Sequence, residues 1–311
     1  MTATADIVSL GEPLYEFSQI RGEDKKYLQG FGGDTSNAAI AAARQGAKVA
    51  YITRIGDDEF GRQFLGLWRD EGLGTSGVYV DSEAPTGVYF IHYGLQGHLF
   101  SYLRAGSAAS RMRPEHLPLD LIRGAKFFHT SAISQAISAC ACDCVFAAID
   151  AAKKSGVSFA YDSNLRLRLW PLPRARAVIT ATVALADYFL PSLEDLSALC
   201  GLAQPEALVD WSHRLGARYV ALKLGADGAL ASDGTRCERI APHAVDCVDA
   251  TGAGDCFAGS LLARLSLGDD FWGAVRYANA AAALTTTGYG AVAPLPTPQA
   301  VAKLLQSQPQ R

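Results

Sequence analysis

The sequence predicts an α/β fold: a doubly wound, mostly parallel sheet with helices on both faces, carrying a small β-sheet lid. Two observations lead there. From residue 114 onward, short apolar runs alternate with helical stretches, and strands separated by helices pair in parallel with helices packed on both faces. Between residues 76 and 105 the pattern changes to Val, Tyr, Phe, Thr and Gly, broken at Gly94 and Gly97, which reads as strands and hairpins. No internal repeat or low-complexity linker divides the 311 residues. They read as a single α/β domain over 1–311, with the lid built mainly from about 12–31 and 76–105.

The elements follow in order. Ala5-Asp6-Ile7-Val8-Ser9-Leu10-Gly11 is a short apolar run ending in glycine, a buried strand that delivers Gly11 and Glu12 to a sheet edge. Residues 37–46 are alanine-rich and helical; Val49-Ala50-Tyr51-Ile52 is a strand, and 59–71 has a helical pattern. Later strands are expected at 126–129, 157–162, 187–190 and 219–223, with a helix at 140–154. The segment 252–287 is alanine-rich and strongly helical.

Composition narrows the function classes. With 49% hydrophobic and 19% charged residues and a net charge of −3, the chain has a globular composition and no general attraction for nucleic acid or an anionic membrane face. Any anion it binds must be held by local groups. No apolar stretch reaches the length of a membrane span, and no basic region followed by an apolar run opens the chain. The expectation is a soluble cytoplasmic protein. Cys140, Cys142 and Cys144 alternate within one segment, but no His or Cys pair lies nearby with zinc-type spacing. The seven cysteines are expected to be buried and reduced.

The most informative segment is Asp249-Ala250-Thr251-Gly252-Ala253-Gly254-Asp255, just before a helical run. Small residues at a helix N-terminus leave backbone N–H groups free to hold a phosphoryl group, and the helix dipole adds positive potential. Asp255 would then accept a proton from an attacking hydroxyl. Taken alone, the same residues could merely shape a turn and cap a helix. A second segment, Gly32-Gly33-Asp34-Thr35-Ser36-Asn37-Ala38-Ala39, lets a polyol approach the backbone, with Asn37 offering a donor and an acceptor. Simple N-capping by Asp34 or Thr35 is the competing reading. The third, Lys223-Leu224-Gly225-Ala226-Asp227-Gly228, ends a strand but lacks P-loop spacing.

These three segments, in this order, resemble the ribokinase or PfkB family of sugar kinases, and the match covers nearly the whole chain. The resemblance implies that Asp255 is the catalytic base and that the amides of Gly252, Ala253 and Gly254 form an anion hole. It implies that Lys223, Gly225 and Gly228 line a nucleotide site, with Asn279 near adenine, though Asn279 could equally be a solvated helix residue. ATP and Mg2+ are the implied cofactors, and K+ is a candidate near Asp249 and Thr251. The family's N-x-x-E element is here Ser192-Leu193-Glu194-Asp195. Metal organisation through water therefore falls to Glu194 or Asp195.

The substrate reading rests on Tyr102-Leu103-Arg104 and Asp162-Ser163-Asn164-Leu165-Arg166. Both arginines sit at strand ends, where ligands bind in open α/β sheets, and a guanidinium fork recognises carboxylate. The alternative is two surface arginines paired with acidic residues. The resemblance favours a keto-deoxy sugar acid kinase within the family, with Gly33, Asn37, Tyr89, Tyr102, Arg104 and Arg166 binding substrate; Tyr89 could instead be core. A neutral-sugar kinase such as a fructokinase is the nearest rival, and a non-catalytic sugar-binding protein a remote one. The expected partners are a small sugar acid and ATP, and a homodimer through the β lid is expected by analogy.

Overall fold

The computed structural model describes residues 5–20, 22–94 and 97–308. In chain order its strands are β1 (Ile7–Leu10), β2 (Leu14–Ile20), β3 (Glu23–Gly32), β4 (Val49–Gly56), β5 (Gly74–Asp81), β6 (Gly87–Gly94), β7 (Gly97–Leu103), β8 (Phe127–Ser131), β9 (Ser158–Asp162), β10 (Tyr188–Phe189), β11 (Tyr219–Lys223), β12 (Ala229–Ser232) and β13 (Cys237–Ile240). Nine of them form one sheet in the order β13-β12-β11-β10-β9-β8-β1-β4-β5. Pairing is parallel from β5 to β11 and antiparallel at β12 and β13. A second sheet has the order β3-β2-β6-β7.

The parallel strands are apolar along their length because helices cover both faces. β4 shows the consequence of the two-residue period. Val49, Tyr51 and Ile55 enter one core layer, while Ala50 and Ile52 enter the other. The first layer lies under the Asp34–Arg44, Ala253–Ser266 and Phe271–Thr285 helices, the second under the Ala139–Lys154 and Leu172–Val183 helices. Chain order reverses between β1 and β8: from β1 the chain builds outward to β5, then returns to β8 and builds the other way. A crevice at such a switch point is where open α/β sheets bind ligands.

Two expectations need correction, the sheet of residues 76–81 and the burial of all seven cysteines. Residues 76–81 do not join the small sheet; they lie in β5 and pair with β4 in the large one, so the small sheet comes from 14–32 and 87–103. β-propensity alone does not say which sheet a strand joins. The strongly helical stretch 252–287 holds as expected and divides into two helices, Ala253–Ser266 and Phe271–Thr285. Gly268 breaks them apart at φ 102°, and Asp270 caps the second by accepting from Gly273 N. The seven cysteines are free, but only Cys142, Cys144 and Cys256 are buried, while Cys237 and Cys247 are exposed.

One close approach positions the site. A Cβ on Gly259 would lie 2.1 Å from the Ala38 carbonyl oxygen, so only glycine lets the Ala253–Ser266 helix pack this tightly on the Asp34–Arg44 helix. That contact brings the N-terminal turns of both helices to the same end of the sheet.

Candidate active site

The two N-terminal turns meet over β8. Asn37, in the first turns of its helix, donates from Nδ2 to Asp255 Oδ2 at 2.8 Å. Asp255 is the third residue of the Ala253–Ser266 helix and does not cap it by a side-chain hydrogen bond. Gly252 is the N-cap at φ 76°, and a Cβ there would also meet Ala291 at 2.9 Å. Asp255 shares a narrow pocket with Asp34, Ala38, His129, Ser131, Asp162 and Ala258, at the switch point between β1 and β8.

Two of these carboxylates had no role in the sequence reading beyond capping or strand ending. Asp34 accepts from its neighbour Thr35 N at 2.8 Å and from Asn164 Nδ2 at 2.7 Å. Asp162 accepts from Lys223 Nζ at 2.5 Å and from Asn164 N at 3.2 Å. Asn164 thus ties the two together, and it is the one described non-glycine residue at positive φ, 20°. Such strain collects at functional sites. Asp34 opens the helix after β3 and Asp162 ends β9, so no local spacing in the sequence joins them.

Electrostatics follow from this crowding. Asp255 is half-buried as a residue, with its carboxyl enclosed by protein. Desolvation and then the Asp34 and Asp162 charges push its pKa up to about 8, against the opposing pull of Asn37 and Lys223. Removing a like charge must lower it. Asp34→Asn, which keeps an acceptor oxygen, is therefore expected to move the ascending limb of the kcat/KM–pH profile to lower pH than in the wild type. An unchanged or upward-shifted limb would show that Asp34 does not act on the titrating group. His129 is buried beneath the cluster, with its pKa held down to about 4 by desolvation. Its Nδ1 pairs with Ser9 Oγ at 2.9 Å.

Lys223 sits where a transferring phosphoryl group is expected. Its Nζ is 3.4 Å from where a Gly254 Cβ would be, so the missing side chain opens a cradle between an ammonium and a helix N-terminus. That donor set suits the phosphates of a nucleotide. A family model for the pfkB family of carbohydrate kinases matches residues 4–298.

The chain belongs to the pfkB family of carbohydrate kinases.

Among curated relatives, it is 34% identical to the 2-dehydro-3-deoxygluconokinase of Thermoproteus tenax, over 98% of this chain and 95% of that one. It is also 34% identical to fructokinase-1 of Oryza sativa subsp. japonica, over 97% and 98% respectively. Among solved structures, the fructokinase of Vibrio cholerae O395 in its fructose-, ADP- and calcium-bound form superposes with a TM-score of 0.89 at 29% identity, covering 97% of this chain and 99% of that one. The fold is ribokinase-like, and the protein is a sugar kinase.

The remaining predicted residues of this kinase distribute as follows. Gly33 caps the Asp34–Arg44 helix at φ 101°, where a Cβ would lie 2.4 Å from the Glu12 carbonyl oxygen. Tyr89 is both core and candidate ligand: it packs with Leu14 and Ile91, stacks on Tyr102 at 5.8 Å and donates its hydroxyl to Glu16. Burial and then the Glu16 charge raise its pKa, and Asp255 adds to the shift. Gly225 and Gly228 flank the tight turn between β11 and β12. Asn279 is buried, not solvated, and donates to Ala241 O at 2.8 Å.

The two arginines differ. Arg104 is part-buried, its side chain 10% exposed, and ion-pairs with the buried Glu12, which also accepts from Ser107 Oγ at 2.7 Å. Its Nε has no partner. Arg166 is half-exposed, with Asp195 3.9 Å away and the Leu165 carbonyl at 2.9 Å. Of the alternative reading, two surface arginines paired with acidic residues, Arg104 keeps the acidic partner but not the surface position. Glu12, 92 residues from its partner, was missed as a site residue because nothing local in the sequence links the two.

Of the candidate metal carboxylates, Glu194 is exposed. Asp195 faces inward, accepting from Leu165 N at 3.1 Å within reach of the Asp162 and Lys223 charges. Desolvation raises its pKa. The inward position of Asp195, not a difference in carboxylate chemistry, suits it better than exposed Glu194 to water-mediated magnesium organisation. Asp249 accepts from Thr251 N at 3.0 Å, Thr251 Oγ1 at 2.6 Å and Gly290 N at 3.0 Å. It pins the turn before Gly252 to the 290 loop, and its engaged oxygens do not by themselves mark a potassium site. Among the described residues, no group of three or more His, Cys, Asp or Glu forms a metal cluster, and no helix is long and apolar enough to cross a membrane.

Proposed function

We propose that this kinase transfers the γ-phosphoryl group of ATP to the terminal hydroxyl of 2-keto-3-deoxygluconate, giving the 6-phosphate and ADP. The observation that carries the substrate is the pair of guanidinium groups beside a site otherwise rich in carboxylates. Arg104 follows β7 and lies 5.6 Å over the Tyr102 ring, and Arg166 follows β9 with Asp195 3.9 Å away. A neutral sugar would find its hydroxyl partners without them, whereas a sugar carboxylate needs such a cation.

In this reading Asn37 and the backbone at Gly33 orient the sugar. Asp255 accepts the proton of its terminal hydroxyl. The N-terminal turn at Gly252, Ala253 and Gly254, with Lys223, stabilises charge on the transferring phosphoryl group. Gly225, Gly228 and Asn279 lie along the nucleotide side. Magnesium, when bound, neutralises nucleotide phosphate charge, and Asp195 is the residue suited to hold its water shell. The small sheet acts as a lid that excludes water from the sugar. Its outward Leu28, Leu99 and Leu103 are exposed, which supports a homodimer through that sheet.

Fructose phosphorylation is the second reading. It is favoured by the pairing of Arg104 with Glu12, which already meets part of the cation's demand, and by the fructokinases among the relatives. Arg166 separates the two readings because its substitution removes no buried pair. Arg166→Ala is expected to lower kcat/KM for the keto-deoxy acid about tenfold or more, the cost of one charge-assisted hydrogen bond, and to leave that for fructose within about threefold. Equal losses on both sugars, or none on either, would reject the carboxylate role.

A further inference from the structure

A second cleft, of about 270 Å3, is lined by Arg54, Arg111, Arg113, His116 and Cys140. It shares no residue with the Asp255 pocket. Arg54 continues the β4 register of Ala50 and Ile52, which enter the core layer opposite the Asp255 helix. The cleft therefore opens on the other side of the sheet.

Its chemistry is that of an anion site. Arg54 is 7% exposed, stacks over Tyr79 at 4.3 Å and has a buried Nε with no hydrogen-bond partner. An unmet buried donor is costly. Arg54 Nη1 meets His116 Nδ1 at 2.8 Å. Guanidinium only donates, so Nδ1 is the acceptor and a hydrogen on the other ring nitrogen, Nε2, remains to be given. Cys140 is the second residue of the Ala139–Lys154 helix, whose N-terminus adds positive potential. Asp81 neutralises part of this charge, accepting from Arg54 at 2.7 Å and pairing with Arg111 at 3.1 Å; Glu83 also takes Arg111, at 2.7 Å. Among the described residues Arg113 pairs only with Glu115, at 3.9 Å, beyond hydrogen-bonding distance.

We propose that this cleft is a second ligand site and binds a small phosphorylated metabolite, its phosphate on the Arg113, His116 and helix-terminus side, away from Asp81 and Glu83. The volume approaches the lower end of small-ligand pockets, so a hexose phosphate fits the space better than phosphate alone.

Cys140 provides a local readout that needs no turnover. Its alkylation by iodoacetamide, followed peptide by peptide, is expected to slow about tenfold at a fructose 6-phosphate concentration ten times Kd, because only the free fraction reacts. Inorganic phosphate should protect at higher concentration and neutral fructose not at all. The exposed Cys237 and Cys247 should react at unchanged rates. Arg113→Gln, at a residue whose side chain is 61% exposed, should raise the protecting concentration about tenfold or more. The proposal is overturned if Cys140 reacts at the same rate with and without the sugar phosphate. Equal protection by neutral fructose, or protection that survives Arg113→Gln unchanged, would overturn it as well.

Discussion

Asp255→Asn is expected to lower kcat by about 10²–10⁴-fold near neutral pH, the range lost when a positioned general base is removed. Asparagine keeps the shape and can still accept from Asn37, so nucleotide binding should change little. The same substitution should stabilise the fold, and the sign follows from linkage. The carboxyl group is held above its ordinary value of 3.8, at about 8. The folded protein therefore retains a proton that the unfolded chain has released between those values. The contribution of this group to stability is complete below the lower value and declines as pH rises through the upper one. Asparagine carries no such penalty. Its Tm should match the wild type near about pH 4 and exceed it near about pH 8. A loss of activity under tenfold would remove Asp255 as the base. An equal Tm difference at both pH values would mean that burial of the charge is not what the substitution relieves.

The second large effect is expected at Lys223. The Asp162 carboxylate is buried and the Lys223 ammonium nearly so, with side chains 7% and 13% exposed. Lys223→Met leaves Asp162 uncompensated, which costs about 3–5 kcal/mol when a buried pair is broken. It also removes a cation from the phosphoryl cradle, for which a kcat/KM loss of about 10²–10³-fold is expected. The double variant Lys223→Met with Asp162→Asn separates the two effects. Stability should return most of the way to wild type, because no unpaired charge remains, while activity stays low. If the double variant regains activity together with stability, Lys223 serves the fold and not the phosphoryl group. In the single variant the Asp255 limb should also move to higher pH, because Lys223 opposes the raised pKa.

The sequence showed some parts of this kinase and hid others for identifiable reasons. Gly252, Ala253, Gly254 and Asp255 were legible because a glycine turn and a helix start are local events, and the structure places them together at one helix N-terminus. β11 was legible to the residue, since Tyr219–Lys223 is an uninterrupted apolar strand ending at a charge. β5 was assigned to the wrong sheet because Val78, Tyr79 and Val80 suit any pleated surface, and pairing with β4 is decided by packing. The antiparallel β12 and β13 were not read as strands, although the four residues between them, Asp233-Gly234-Thr235-Arg236, are too few for a parallel crossover and carry a hairpin signal. Asp34 and Asp162 were hidden most deeply. Their link through Asn164 joins residues 130 positions apart, and such convergence appears only once the parallel strands end at a common edge.

The central claim is a sugar acid kinase with two guanidinium groups at its sugar site. The most direct test is an ADP-release assay with ATP and Mg2+ comparing 2-keto-3-deoxygluconate with fructose, ribose and adenosine on the wild-type enzyme. The account predicts a kcat/KM at least about a hundredfold higher for the keto-deoxy acid, equivalent to roughly 2.7 kcal/mol of transition-state discrimination. A higher kcat/KM for fructose would contradict it, returning Arg104 to a structural partner of Glu12 and Arg166 to the surface.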